Sequence, residues 1–511
     1  MRRSFFVIAA SVCLLAVAAC GGKSAGKVAE ETGAEIAPAS SLVFVSVDVD
    51  QATRQWQKVA GLLDRFTGLS GFDRLAGGAC LRSIPSVLGK TIGVAVLSAK
   101  GRSHAGVVVM TRPTNASKAK RALAGGIGAQ CAREILVHVR ARPAKSTRVK
   151  SARSTPQLVL RHVTREIGGW LLISDSSATL DRFKSEAKNG TLAGSHGFRT
   201  AFTALSEKSL VRVYLRGEAV SSAAADLSGD ASRLMGAKIK PDWIALSARP
   251  AAGGFRLDGT ISGIEASNAP NSLIGEAPAG SRLALSFSGS SYGLDKALEK
   301  FSSGAKTGPD LAQIETYLGL KPDDLTALAR SEIAVFTGKL GPVGENAIAI
   351  DPRTGRITGQ AGLGLELRGE GASKTAKKIE KGLPALASFL KGGARRISLN
   401  GVSAEELTLG ALRFFIAGTD GKMLLSADEA VIGHKPKLSS NPAFRAAERA
   451  LRPPAENAGV LFAELDQAPE ITAAGFSKPS GGLGLGDRSA LLAYLDASGS
   501  TLRIHGVLAI G

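Results

Sequence analysis

The feature that most constrains this chain is a pattern that occurs twice. Ala37-Pro38-Ala39 precedes the alternating run Leu42-Val43-Phe44-Val45-Ser46-Val47, and Trp56, Val59, Leu62, Leu63 and Phe66 then recur at helical spacing. Further along, Ala277-Pro278-Ala279 precedes Leu283-Ala284-Leu285-Ser286-Phe287, with Leu294, Leu298 and Phe301 following in the same way. The correspondence keeps its order. Ile92-Gly93-Val94-Ala95-Val96-Leu97 matches Ile333-Ala334-Val335-Phe336, and Trp170-Leu171-Leu172-Ile173-Ser174 matches Lys422-Met423-Leu424-Leu425-Ser426. Phe198-Arg199-x-Ala201-x-x-Ala204-Leu205 returns at identical spacing as Phe444-Arg445-x-Ala447-x-x-Ala450-Leu451. Arg256-Leu257-Asp258-Gly259 and Arg503-Ile504-His505-Gly506 close the two runs. The 511 residues therefore read as one unit duplicated in tandem, with copy one over 37–264 and copy two over 277–511. Between them, residues 265–276 contain Ser267-Asn268-Ala269-Pro270-Asn271-Ser272, a linker by composition.

Turns such as Ala252-Gly253-Gly254 and Ser498-Gly499-Ser500 join strands by short polar links, which favours antiparallel hairpins over βαβ units. The expected class is α+β, an antiparallel sheet in each copy with one face covered by amphipathic helices. With 61 Gly and only 25 aromatic residues, helices should lie close on the sheets.

The N-terminus reads as an address. Met1-Arg2-Arg3-Ser4 is basic, and the uncharged run from Phe5 to Ala19 fits the h-region of an export signal over residues 1–19. Val17-Ala18-Ala19-Cys20 resembles a bacterial lipobox, which makes Cys20 the expected lipidated first residue of the mature chain, a palmitate-bearing anchor. Residues 20–36 are small and polar, a tether reaching roughly 20 Å. The expected location is the cell envelope, on the outer face of the cytoplasmic membrane or its periplasmic side. In that oxidising setting Cys80 and Cys131 are the pair left to form a disulfide, the alternative being two buried free thiols.

The opening run 37–48, with Trp56 and Phe66 in the next helix, the Ser174-Asp175 turn and the later helix holding Phe198, resembles the bacterial DUF3352 family of exported proteins. The resemblance implies an envelope context; it supplies no activity and no catalytic residues.

Three motifs suggest chemistry. Gly289-Ser290-Ser291-Tyr292-Gly293 has the GxSxG form of a nucleophile elbow, with His434 and His505 as later bases, but copy one carries Asp48-Val49-Asp50-Gln51 at that turn. Gly481-Gly482-Leu483-Gly484-Leu485-Gly486-Asp487 lacks the strand-to-helix setting of a nucleotide loop and has no GK[ST]. His138 and His162 have no third ligand at metal-binding spacing, and Asp323-Asp324 suits a helix N-terminus, so neither a metal nor a cofactor is expected.

Charge carries the remaining signal. The chain is +20, and from Arg133 to Arg165 nine basic residues face a single acid, Glu134. The centre of that stretch, Arg140, Arg142, Lys145, Arg148, Lys150 and Arg153, reads as an exposed loop able to meet anionic lipid headgroups, phosphate-bearing wall polymers or an acidic envelope protein. Nucleic acid is excluded by compartment and by the lack of interleaved aromatics. The expectation is a membrane-anchored, non-enzymatic binding or scaffold module. Behind it stand a carrier of a lipid or other apolar ligand, then a serine hydrolase using Ser291.

Overall fold

The structure is a computed structural model describing residues 32–50, 52–63, 89–98, 105–124, 163–205, 209–220, 241–296, 315–337, 349–350, 357–358, 363–369, 371–410, 412–419, 421–433, 436–465 and 489–510. It forms two compact units that change over between Ile264 and Glu265. No described helix is long and apolar enough to cross a membrane.

Unit 1 contains strands β1 (Val43–Asp48), β2 (Thr91–Val96), β3 (Val107–Thr111), β4 (Val163–Ile167), β5 (Trp170–Ser174), β6 (Val211–Arg216), β7 (Trp243–Ala251) and β8 (Gly254–Ser262). All pairings are antiparallel, in the order β4-β5-β3-β2-β1-β6-β7-β8. Its helices are α1 (Arg54–Leu63), α2 (Ala116–Ala124), α3 (Ser177–Ala187) and α4 (His196–Thr203). Serine caps open the last two: Ser176 Oγ accepts from Thr179 N at 3.2 Å, and Ser195 Oγ from Phe198 N at 3.3 Å. Leu180 and Phe183 of α3 and Phe198 and Ala201 of α4 bury against Phe44, Ala95, Leu172 and Tyr214 of the sheet. Phe198 is the hub, edge-on to Phe44 at 5.6 Å and to Tyr214 at 5.2 Å, and stacked on Phe202 at 4.1 Å.

Unit 2 adds β9 (Ala269–Pro270), β10 (Leu283–Ser288), β11 (Glu332–Thr337), β12 (Ala349–Ile350), β13 (Ile357–Thr358), β14 (Leu363–Arg368), β15 (Gly393–Leu399), β16 (Val402–Leu409), β17 (Leu412–Thr419), β18 (Lys422–Ser426), β19 (Glu456–Asn457), β20 (Gly459–Glu464), β21 (Ala490–Ser498) and β22 (Thr501–Ala509). Two short pairs, β12 with β13 and β9 with β19, stand apart from the main sheet. That sheet is also antiparallel, in the order β15-β16-β17-β18-β14-β11-β10-β20-β21-β22. Helices α5 (Pro322–Arg330), α6 (Ala372–Phe389) and α7 (Pro442–Leu451) complete the unit. Without β15 and β16, the chain visits its strands in the same spatial order as in unit 1.

Matching positions pack by different residues. Phe44 lies opposite Ala95, whereas Ala284 lies opposite Phe336, so the large and small partners have changed strands. All four are essentially buried. On the next strand Phe336 faces Gly364, and a Cβ there would fall 2.2 Å from the ring. Volume, rather than residue identity, is kept.

The helices do not cover a single face. In unit 2, α7 packs with Ala284, Phe336, Phe462 and Leu492, while α6 packs with Leu367 and Met423, and further along with Ile416 and Leu407. Ile333 and Phe336 point to opposite sides of β11, so the sheet is sandwiched there. In unit 1 the face away from α3 and α4 is also dry: Val43, Val45, Val96, Val109, Leu171, Ile173, Val211 and Val213 are at most 5% exposed. The runs Ile333-Ala334-Val335-Phe336 and Trp170-Leu171-Leu172-Ile173 are apolar on both faces, the pattern of a doubly covered strand.

Two segments read as linkers are built into the fold. Residues 265–276 are stitched to unit 2: Asn268 bonds Asp496 and the backbone of Ala497, buried Asn271 donates to Ser286 O and Asn457 Oδ1, and Leu273 is fully buried. At the end of the tether, Thr32, Gly33 and Ala34 are buried, with Ala34 in the unit 1 core. Small polar composition here marks close-packed turns.

Candidate functional site

The sequence-predicted site residues Cys20, Cys80, Cys131, Arg140, Arg142, Lys145, Arg148, Lys150 and Arg153 lie outside the described residues, as do His138, His162, His434 and Gly481-Gly482-Leu483-Gly484. The chemistry that can be built starts at Ser291.

Ser290–Tyr292 is a 3-10 turn after β10, closed by Gly293 at φ 62°. The Ser291 hydroxyl is buried and has no hydrogen-bond partner among the described residues, and its carbonyl accepts from Ser267 N at 2.9 Å. The Ser290 hydroxyl instead meets that of Ser288 at 2.8 Å. Gly289 is demanded by packing, because a Cβ would lie 1.8 Å from Ala329 O. His505 is on β22, its ring 5.0 Å from that of Tyr494. A nucleophile needs a base within hydrogen-bond reach, and among the described residues none is bonded to the Ser291 hydroxyl.

The corresponding turn of unit 1 is acidic. Asp48 Oδ1 accepts from Asp50 N at 2.8 Å, and Lys90 bridges Asp50 at 2.8 Å. Burial, reinforced by the neighbouring Asp50 charge, pushes the Asp48 carboxyl up to about 7 against the pull of Arg212 and Lys90. Among the described residues the buried Trp56 indole nitrogen has no hydrogen-bond partner.

The densest charge cluster gathers around Glu276, at the end of the 3-10 turn Leu273–Glu276. Lys422 reaches it at 3.0 Å, Lys437 at 2.5 Å and Arg368 at 3.3 Å. Lys422 also bridges Glu366 at 2.9 Å, and Arg368 donates to Ser272 Oγ at 2.9 Å. Glu332 accepts from the backbone N–H groups of Ser272 and Leu273. Burial alone would raise the Glu276 carboxyl, but hydrogen bonds and charge from Lys437 and Lys422 hold it down to about 2. Three carboxylates face three cations, a closed strut that pins the turn to β11, β14 and β18. In unit 1, Trp170 heads β5 as Lys422 heads β18, and Glu35 there is raised by burial although Trp170 donates to it.

A second ladder crosses β15, β16 and β17. Register sets Arg395 opposite Glu406 and Arg396 opposite Glu405, with contacts of 2.6 and 2.8 Å. Arg413 also bonds the buried Glu406 and lies 5.1 Å over the Phe415 ring. Among the described residues no three His, Cys, Asp or Glu side chains gather as a metal site would require. Sequence reading missed the Glu276 cluster because its members are distant in sequence, and the β15–β17 ladder because only strand register sets its arginines against Glu405 and Glu406; it also missed the exposed apolar pair Phe389 and Leu390 at the end of α6. That pair was visible as the point where the helical alternation of α6 breaks.

No protein-family model matches the chain. Comparison with curated proteins finds no match. Among solved structures, crystal form I of TP0453 aligns over 46% of this chain and 79% of its own, at 9% identity and a TM-score of 0.23.

Proposed function

We propose that the chain is a membrane-anchored cell-envelope lipoprotein, acting as a non-enzymatic binding or scaffold module made of two tandem copies of one α+β unit. The lipobox-like Val17-Ala18-Ala19-Cys20 supports the anchor, and the DUF3352 resemblance of the opening run agrees with export. The shared strand order of the two sheets supports duplication. One observation carries the scaffold reading: the clustered carboxylates are closed by the protein's own cations, Glu276 by three and Glu406 by two. Charge so arranged holds shape and leaves no open acid-base pair. A carrier would need apolar space between sheet and helix, and the unit 1 interior is occupied by Phe44, Phe183, Phe198, Phe202 and Trp170.

Acyl labelling tests the anchor. Wild type should incorporate labelled palmitate and Cys20→Ala should not; unchanged labelling in the variant refutes it. Crosslinking in intact cells tests the module, since a scaffold should return a reproducible partner.

A further inference from the structure

Among the described residues four large apolar side chains stand exposed, and two are sequence neighbours: Phe389 at 52% and Leu390 at 46%. They sit where α6 ends. The helix buries Ala372, Thr375, Ala376, Leu383 and Ala387, and turns Lys374, Lys377 and Lys381 to solvent. Beyond its last turn, Gly392 N donates to Ala387 O at 2.7 Å and Lys391 takes a left-handed φ of 54°. The chain reverses into β15, leaving Phe389 and Leu390 at the tip. The Phe389 ring is held in place, stacked on Tyr317 with centroids 4.5 Å apart. Gly382 admits that neighbour, because a Cβ there would lie 2.5 Å from Tyr317 O.

Along the chain after Glu380, charge at the tip has one sign. From Lys381 to Ala404 the chain carries four cations, Lys381, Lys391, Arg395 and Arg396, and no acid. The two arginines are engaged by Glu406 and Glu405. Lys381 and Lys391 are exposed and form no ion pair among the described residues.

We propose that the α6–β15 tip is a membrane contact, inserting Phe389 and Leu390 at the headgroup boundary of an anionic bilayer while Lys381 and Lys391 meet lipid phosphates. Charge complementarity selects an anionic surface. Two side chains are too few for a protein interface, which buries on the order of 1,000 Å², whereas an apolar point in a basic collar suits interfacial insertion. The inference deepens the membrane-side reading above without depending on acylation of Cys20.

The test uses the full chain carrying Cys20→Ala and sedimentation with vesicles of equimolar phosphatidylcholine and phosphatidylglycerol. Phe389→Ser with Leu390→Ser, and separately Lys381→Glu with Lys391→Glu, should each weaken binding about tenfold while circular dichroism and melting stay as in the parent. Phe389→Trp, which keeps an aromatic ring, should bind and gain emission that brominated lipids quench. Parental binding by the serine pair overturns the proposal, as does equal binding to pure phosphatidylcholine. Absence of lipid quenching in Phe389→Trp also overturns it, and assigns the tip to another occupant such as an acidic protein. Because acyl labelling of Cys20 is a separate measurement, the tip can fail while the anchor stands.

Discussion

Asp48 and Glu276 depart from ordinary carboxylates in opposite directions, and stability should record the difference. Asp48, raised to about 7, holds its proton more tightly folded than unfolded. Its ionisation therefore opposes folding, and the stability that the protonated carboxyl supplies is lost as pH rises from about 4 to about 7. Asp48→Asn should flatten that slope: between pH 5 and pH 8 the wild type should lose more melting temperature than the variant, and parallel losses would exclude Asp48 as the source. Glu276, held near 2, works the other way. Its contribution is complete above its unfolded value of 4.5 and disappears as pH falls toward 2. Glu276→Gln should cost about 1–3 kcal/mol in urea unfolding at pH 7, with the gap closing at acid pH; a constant gap would mean that lost packing, not charge, is responsible. Neither behaviour was legible in the sequence. Asp48 and Asp50 read as a polar turn, and the cations around Glu276 come from positions 368, 422 and 437, brought together only by pairing of strands.

Among the elements, the pair Ala284 and Phe336 offers the sharpest test of packing. Phe336→Ala should cost about 3–5 kcal/mol, since neither Ala284 nor Gly364 can fill the space left. Ala284→Phe alone should overpack against Phe336. Combined, the two changes recreate the Phe44 and Ala95 arrangement of unit 1, and a double-mutant cycle should recover stability; simple additivity would show that the sites do not share space. The strands were largely legible, because the segments matched as strands, such as 170–174 and 422–426, form strands in both units. Their two-sided burial was legible too, but only from continuous apolar runs rather than from alternation. Segment 265–276 misled because Asn, Ser and Pro mark turns whether the turn is loose or packed. The unit 1 stretch that would match β15 and β16, within residues 125–162, lies outside the described residues.

Across the whole molecule, charge is distributed unevenly. The full chain is +20, and loss of Arg2 and Arg3 with the proposed signal would leave +18; nine of the basic residues fall from Arg133 to Arg165. Replacing Arg140, Arg142, Lys145, Arg148, Lys150 and Arg153 with Gln should weaken sedimentation with anionic vesicles and make the remainder less sensitive to salt; undiminished binding would leave the α6 tip as the sole basic contact. The shared strand order of the two units was legible because offsets between matched segments stay nearly constant, whereas function was not, since no cluster among the described residues spells a reaction in consecutive letters. The outer strands β4 and β15 carry a last consequence. Each pairs on one side only among the described strands, and each sets charges along its length: Arg165 and Glu166 on β4, bound to Asp181 and Lys120, and Arg395 and Arg396 on β15. A second copy zipping onto either rim would have to strip water from those charges and set like against like. Under the proposed anchoring, molecules crowded in the plane of a bilayer would meet far more often than in solution, and such rims would let them collide without growing into fibres.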